Sequence, residues 1–269
     1  MTTALLTSPR IDLLGNMMAT LNNHSILPTA AKPRQMLALL ALRPCQVVSV
    51  ELLVEEVWGD NQPSRVRTAT QTYIMQIRRL LSAAPFDSTE DAKQLLITRH
   101  NGYTLDFDPE QSDAWRFVEA TRAGFVALDQ RDYETASVKL EEAIQMWRGP
   151  ALVDVDTGTV LRLEVERLNE YHRCAQEAWV EAELNLKRYR TALSELVALR
   201  AADPLNERLC GLQMAALYDS GRTPEALNAF RDLSRSLRAE LGVTPSRKLV
   251  QLHESILRGD FLEGLPSRP

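Results

Sequence analysis

Three cysteines in 269 residues are too few and too far apart to organise a fold. Cys45, Cys174 and Cys210 are odd in number and show no CxxC spacing, which argues against a disulfide framework and a zinc site. Buried free thiols are expected instead. Long hydrophobic runs are missing too. The longest, MLALLAL at 36–42, falls well short of the about 20 residues that cross a bilayer. Residues 1–20 lack the basic start and apolar core of a signal peptide, so a cytoplasmic protein with no membrane partner is expected. Histidine is sparse: His24, His100, His172 and His253 are scattered, and no HExxH, nucleophile elbow or GxxxxGK[ST] phosphate loop occurs. His172 and Cys174, two apart on one helix, point to different sides. Glu141–Glu142 reads as a solvated helix face. No enzyme activity, cofactor or metal is expected.

What is present is an uneven distribution of charge. The net charge is -5, yet residues 1–106 carry +1 and residues 107–269 carry -6. Only the first part suits a polyanion. Its positive charge concentrates in 62–82, QPSRVRTATQTYIMQIRRLLS, which holds four arginines and no acid. Read as a helix, Val66, Ala69, Tyr73, Ile74, Ile77, Leu80 and Leu81 share one side. Thr68, Gln71, Thr72, Met75, Gln76 and Arg79 share the other, with Arg65, Arg67 and Arg78 on the flanks. Amides and guanidinium groups pair with base edges, and Thr and Arg reach phosphates, as a helix in a DNA major groove requires. Taken alone, these residues fit an ordinary solvated amphipathic helix equally well.

The flanking elements favour the DNA reading. RIDLL at 10–14 predicts a short strand, and the stretch to Ala31 has mixed signals of short strands and turns. Pro33 opens a helix through Leu42. Ser49 caps a second helix, with Glu51 in its first turn and Leu52, Leu53, Val57 and Trp58 as its buried stripe. Gly59 to Pro63 is turn chemistry, and Ser64 caps the basic third helix. An acidic, polar loop after Pro85 runs to Ala92. LLIT at 95–98 and YTLDF at 103–107 predict strands around Arg99-His100-Asn101-Gly102, where Asn-Gly favours a hairpin because both residues tolerate positive φ. Strands, three helices and a closing hairpin are the layout of a winged helix. Arg99 at the hairpin tip suits the electronegative minor groove, or simply solvent.

From Ser112 onward the pattern is helix after helix, so the whole chain is expected to be mainly α with a small β component. Helices are expected from Ser112, over about 132–147, 160–186, 189–202, 205–219, 224–241 and 245–257. A repeat of 34 residues relates Ala182, Ala192, Leu193 and Leu196 to Ala216, Ala226, Leu227 and Phe230. With Pro204 it gives a tetratricopeptide-like pattern, and RDYETASVKLEEAI at 131–144 resembles a third copy. A generic helical bundle is the plainer alternative.

With these elements in order, the chain resembles the SARP family of bacterial transcriptional activators, named for control of antibiotic biosynthesis. The markers are KPRQMLALLAL (32–42), VVSVELLVEEVWGD (47–60), TATQTYIMQIRRLL (68–81) and ITRHNGYTLD (97–106), followed by EEAIQMWRGPAL (141–152), ERLCGLQMAALYDSGRTPEAL (207–227) and LGVTPSRKLVQLHESILRGD (241–260). The resemblance covers roughly residues 8–260. It implies an OmpR-type winged-helix DNA-binding domain over 1–107, a bacterial transcriptional activation domain of tetratricopeptide-like repeats over 108–260 and a flexible tail over 261–269. It also implies a small stand-alone member with neither receiver nor ATPase domain. Promoter double-stranded DNA at direct repeats, RNA polymerase through its sigma and alpha subunits, and a second copy on DNA are the implied partners. The implied DNA-binding residues are Arg65, Arg67, Thr68, Gln71, Thr72, Met75, Gln76, Arg78, Arg79, Arg99 and His100. The implied polymerase-contact loop is Trp58, Gly59, Asp60, Asn61 and Gln62. The family usually has Arg where Gln76 stands, and often RGPGY where this hairpin has RHNGY. A repressor of the same fold and a repeat scaffold without DNA binding are the competing functions.

Overall fold

The computed structural model describes residues 8–83 and 94–260. The expected loop ending at Ala92 and the expected tail over 261–269 both lie outside them. Strands Arg10–Asp12 (β1), Met18–Leu21 (β2) and His24–Ser25 (β3) form an antiparallel sheet in chain order. Ile11, Ala19 and Leu21 face its buried side. Asn22 and Asn23, at φ 50° and 64°, make the two-residue turn between β2 and β3. Asn tolerates this left-handed geometry, which matches strand twist.

Helix α1 (Ala31–Ala41) carries Pro33 in its first turn and buries Met36, Leu37, Leu39 and Leu40 completely. After β4 (Val48–Ser49) comes α2 (Val50–Trp58), where Ser49 Oγ accepts the Leu52 N–H at 3.1 Å as the sequence predicts. Its buried stripe differs from expectation: Leu53, Val54 and Glu56 are buried, while Leu52, Val57 and Trp58 are half-buried. Helix α3 (Val66–Ala83) packs on both α1 and α2. It starts later than expected: Ser64 lies in the preceding turn, and the Val66 N–H bonds Pro63 O at 3.1 Å.

Strands β5 (Leu96–Arg99) and β6 (Gly102–Leu105) form the hairpin, and β4 adds to it in the order β4-β6-β5. Arg99 pairs with Gly102, so His100 and Asn101 are the turn. Neither Asn101 nor Gly102 has positive φ, which corrects the reason given for the Asn-Gly pair. Gly102 is needed for space, because a Cβ there would collide with the Val48 carbonyl across the sheet.

The remainder is helical: α4 (Asp113–Asp129), α5 (Tyr133–Gln145), α6 (Thr159–Asn185), α7 (Tyr189–Ala202), α8 (Glu207–Asp219), α9 (Thr223–Ser236), a π-turn at Leu237–Leu241 and α10 (Arg247–Arg258). Among the described residues no strand follows β6. Compactness divides the chain into one unit of residues 1–122 with 142–173 and a second of 123–141 with 174–269.

The first unit therefore contains the winged helix together with later segments. Three carboxylates bind them. Glu56, 2 % exposed, accepts Gln35 Nε2 and the Gly158 N–H, both at 2.7 Å, and the Leu161 N–H at 2.8 Å. It thereby caps α6 from α2, and Gly158 has no room for a Cβ against the Glu56 carbonyl. Asp113 accepts the Leu13 and Leu14 N–H groups at 2.6 and 3.0 Å, and Arg148 at 3.1 Å. Asp154 accepts the Met17 N–H at 2.7 Å and Arg34 at 3.2 Å.

The second unit repeats one local device. Arg131, Lys187 and Gly221 each adopt positive φ at the end of a helix. The following N–H, of Asp132, Arg188 or Arg222, reaches back five residues to Ala127, Glu183 or Leu217 O, at 2.7–2.9 Å. This is the Schellman turn, and Gly259 makes it again, with the Asp260 N–H on Ser255 O at 3.0 Å. The copies at Lys187 and Gly221 stand 34 residues apart, the expected period. The first stands 56 before the second, and Tyr133, Ala136 and Leu140 align with Tyr189, Ala192 and Leu196 at that offset. Ala136, Ala182, Ala192, Ala216 and Ala226 are all fully buried, as close helix crossings require. The cysteines depart from expectation: only Cys210 is buried, Cys174 is half-buried and Cys45 is exposed.

Candidate nucleic-acid interface

Helix α3 is held by one face and open on the other. Ile74, Ile77 and Leu81 are buried, as the sequence predicts. Thr70, 0 % exposed, joins them because its hydroxyl bonds the Val66 carbonyl at 3.0 Å. No apolar pattern marks Thr70, so sequence reasoning missed it. On the far side Arg65, Arg67, Thr68, Gln71, Thr72, Met75, Gln76 and Arg79 are all exposed. Met75, a large apolar side chain, is 54 % exposed within that polar row. The Thr72 hydroxyl donates to Thr68 O at 2.9 Å, leaving its oxygen able to accept from outside.

Arg78 stands apart from the other arginines. Its Nε and Nη2 donate to the Leu96 carbonyl at 3.1 and 2.7 Å, and Nη2 also donates to Thr98 Oγ1 at 2.8 Å. The guanidinium lies 6.0 Å from the Tyr103 ring centre. Arg78 thus fixes the hairpin against α3. Sequence spacing placed it on the helix flank but could not show which partner it takes.

The hairpin turn brings Arg99, His100 and Asn101 beside α3. Together with Arg67, Gln71 and Thr98 they line a small cleft between helix and hairpin. Asn101 is fixed from α2: its carbonyl accepts the Val50 N–H at 3.0 Å, and its Nδ2 donates to Glu51 Oε2 at 3.1 Å. The sequence marks Glu51 only as a helix-dipole residue, and its reach to Asn101 is set by the fold.

The loop before α3 is anchored at one end. Trp58 stacks on Tyr73 at 5.9 Å with Lys32 Nζ 5.1 Å from its ring centre, and Gly59 sits at φ 50°. Asp60, Asn61 and Gln62 are exposed, while Trp58 and Gly59 are half-buried. Among the described residues no group of three or more His, Cys, Asp or Glu could hold a metal. No helix among them is long and apolar enough to cross a membrane.

Two family models match the chain in tandem. Residues 25–105 match "Transcriptional regulatory protein, C terminal", and residues 112–257 match "Bacterial transcriptional activator domain". The regulatory protein DnrI of Streptomyces peucetius is 42% identical over 93% of this chain and 93% of its own length. The transcriptional regulator RedD of Streptomyces coelicolor is 35% identical over 88% of this chain and 67% of its own. Among solved structures, Mycobacterium tuberculosis EmbR, in complex with a low-affinity phosphopeptide, superposes with a TM-score of 0.88 at 30% identity. That match covers 96% of this chain and 67% of EmbR.

Proposed function

This chain belongs to the SARP family of bacterial transcriptional activators, and on that premise we propose that it reads promoter DNA with α3 and the β5–β6 hairpin. The observation that carries the proposal is the exposed row Thr68, Gln71, Thr72, Met75, Gln76 and Arg79, opposed by a buried face and flanked by the Arg99–His100 turn. In this reading α3 lies in the major groove. Gln71, Thr72 and Gln76 address bases, with Met75 in apolar contact, while Thr68, Arg65, Arg67 and Arg79 hold phosphates. Arg99 and His100 approach the adjacent minor groove. Arg78 acts through the hairpin it holds.

Two copies would sit head to tail on direct repeats about one helical turn apart, about 10–10.5 base pairs. The exposed Asp60–Gln62 loop, with Trp58 and Gly59 at its anchored end, would meet RNA polymerase through its sigma and alpha subunits. Residues 1–107 then serve recognition and 108–260 activation, and the controlled genes are those of a secondary-metabolite cluster.

Footprinting with genomic fragments tests the reading. Protection is expected over a tandem repeat, with steep salt dependence. Gln76→Ala should relax preference at one base pair, by about 1–3 kcal/mol; a loss equal across all sequences would remove Gln76 from base reading. In vitro transcription tests activation itself, since lowered output from the bound promoter would make the protein a repressor.

A further inference from the structure

Glu51 places an acid among the interface cations. Its Oε1 lies 3.8 Å from Arg67 Nη2, and its Oε2 accepts the Asn101 amide at 3.1 Å. Arg67 and Asn101 both line the cleft between α3 and the hairpin turn, which Gln71, Thr98 and Arg99 complete. A guanidinium and a neutral N–H converging on one anion are the donors that a backbone phosphate takes in protein–DNA interfaces. The fold has little need of this carboxylate there. Glu51 and Arg67 side chains are 59% and 81% exposed, and an exposed ion pair adds little stability.

We propose that this cleft seats one DNA backbone phosphate, and that Glu51 occupies its donors in the free protein and so holds down affinity for DNA of any sequence. The proposal rests on the DNA-binding reading above. An arriving phosphate must draw Arg67 away from Glu51 and then lie close to a like charge, within the screening length of physiological salt. The penalty falls on phosphate contact, which supplies essentially all binding at wrong sites. Gln71 and Gln76 carry no bond to Glu51, so base reading is left to add its own discrimination. Glu51 thus sets the level of sequence-independent affinity, and the discrimination between bases stays with α3.

The test uses the full chain and a random-sequence duplex of about 30 base pairs, titrated by fluorescence anisotropy between about 50 and 200 mM salt. Glu51→Gln keeps an amide oxygen for Asn101 and removes the charge. It should bind about three- to tenfold tighter, with a salt slope steeper by about 1. Glu166→Gln, at an exposed acid on α6, makes the same change in net charge and should gain less than about twofold. Adding Arg67→Gln to Glu51→Gln should abolish the gain in both affinity and slope. A Glu51→Gln affinity like that of the wild type, an equal gain from Glu166→Gln, or a gain that survives Arg67→Gln overturns the phosphate seat. A wild-type chain without salt-dependent affinity for duplex overturns the DNA reading itself.

Discussion

The two compact units hold their helices by different means. In the first, single carboxylates reach residues about a hundred positions away: Glu56 to Gly158 and Leu161, Asp113 to Leu13 and Leu14, Asp154 to Met17. In the second, carboxylates reach less far, as Glu183 does to Ser137, 46 positions away. One short device recurs there, a left-handed residue closing a Schellman turn at Arg131, Lys187 and Gly221, with alanines at the crossings. Unique long-range polar contacts specify one arrangement but fail singly. Repeated local turns share the work, so each matters less.

That contrast can be broken most severely at Glu56. Glu56→Ala strips Gln35 Nε2 and the Gly158 and Leu161 N–H groups of a buried acceptor. At about 1–3 kcal/mol per orphaned donor, the first unit should lose about 3–5 kcal/mol. Urea unfolding followed by tryptophan fluorescence reads this, since Trp58, Trp115 and Trp147 lie in that unit. Glu55→Ala, at the exposed neighbour, should change stability by no more than about 0.5 kcal/mol. Similar losses from both variants would mean that the clasp does not distinguish the units.

The next effect depends on pH. His172 stacks on Trp147 at 4.2 Å, and burial lowers its pKa from 6.5 to about 4. Below pH 6.5 the unfolded chain takes a proton that the folded imidazole refuses until about pH 4. Stability of the first unit should therefore fall as pH drops through that window, by about 2 kcal/mol after discount for partial exposure. His172→Phe should flatten the fall; an unchanged profile would assign it to other groups.

Within the interface, Arg78 and Arg79 are adjacent residues with separate tasks. Arg79→Ala should lower the salt slope of DNA binding by about 1 and leave the footprint intact. Arg78→Ala should free the hairpin and shorten hydroxyl-radical protection on its side. Indistinguishable footprints would return Arg78 to plain phosphate contact.

The smallest effect belongs to the second unit. Lys187 adopts φ 60° where the equivalent turn has Gly221. Lys187→Gly relieves that strain at some cost in chain entropy, a net gain of about 0.5–1 kcal/mol. Thermal melting followed at Trp179 should show the shift, and a loss would mean that neighbouring contacts favour the lysine.

Legibility in the sequence follows the same division. The Ser49 cap and the two faces of α3 are set within a turn or two of chain, the 34-residue period is written in recurring residue types, and all are found in the fold. Asn-Gly was the wrong place for a left-handed turn: the geometry lies at Asn22–Asn23, and Gly102 is required by the closeness of β4. Glu55 and Glu56 are identical in local chemistry, yet one faces water and the other is buried. Only the approach of Gly158 decides between them.

The sequence by itself determined helix and strand periods, caps, the repeat and the concentration of arginine in 62–82, because these depend on near neighbours and on side-chain type. The tertiary structure alone decided which equal residues took unequal parts: Glu56 as a buried clasp, Arg78 bound to the hairpin while Arg79 stays exposed, Glu51 beside Arg67. Those assignments depend on which distant backbone atoms arrive within hydrogen-bonding reach, and chain spacing carries no measure of that distance.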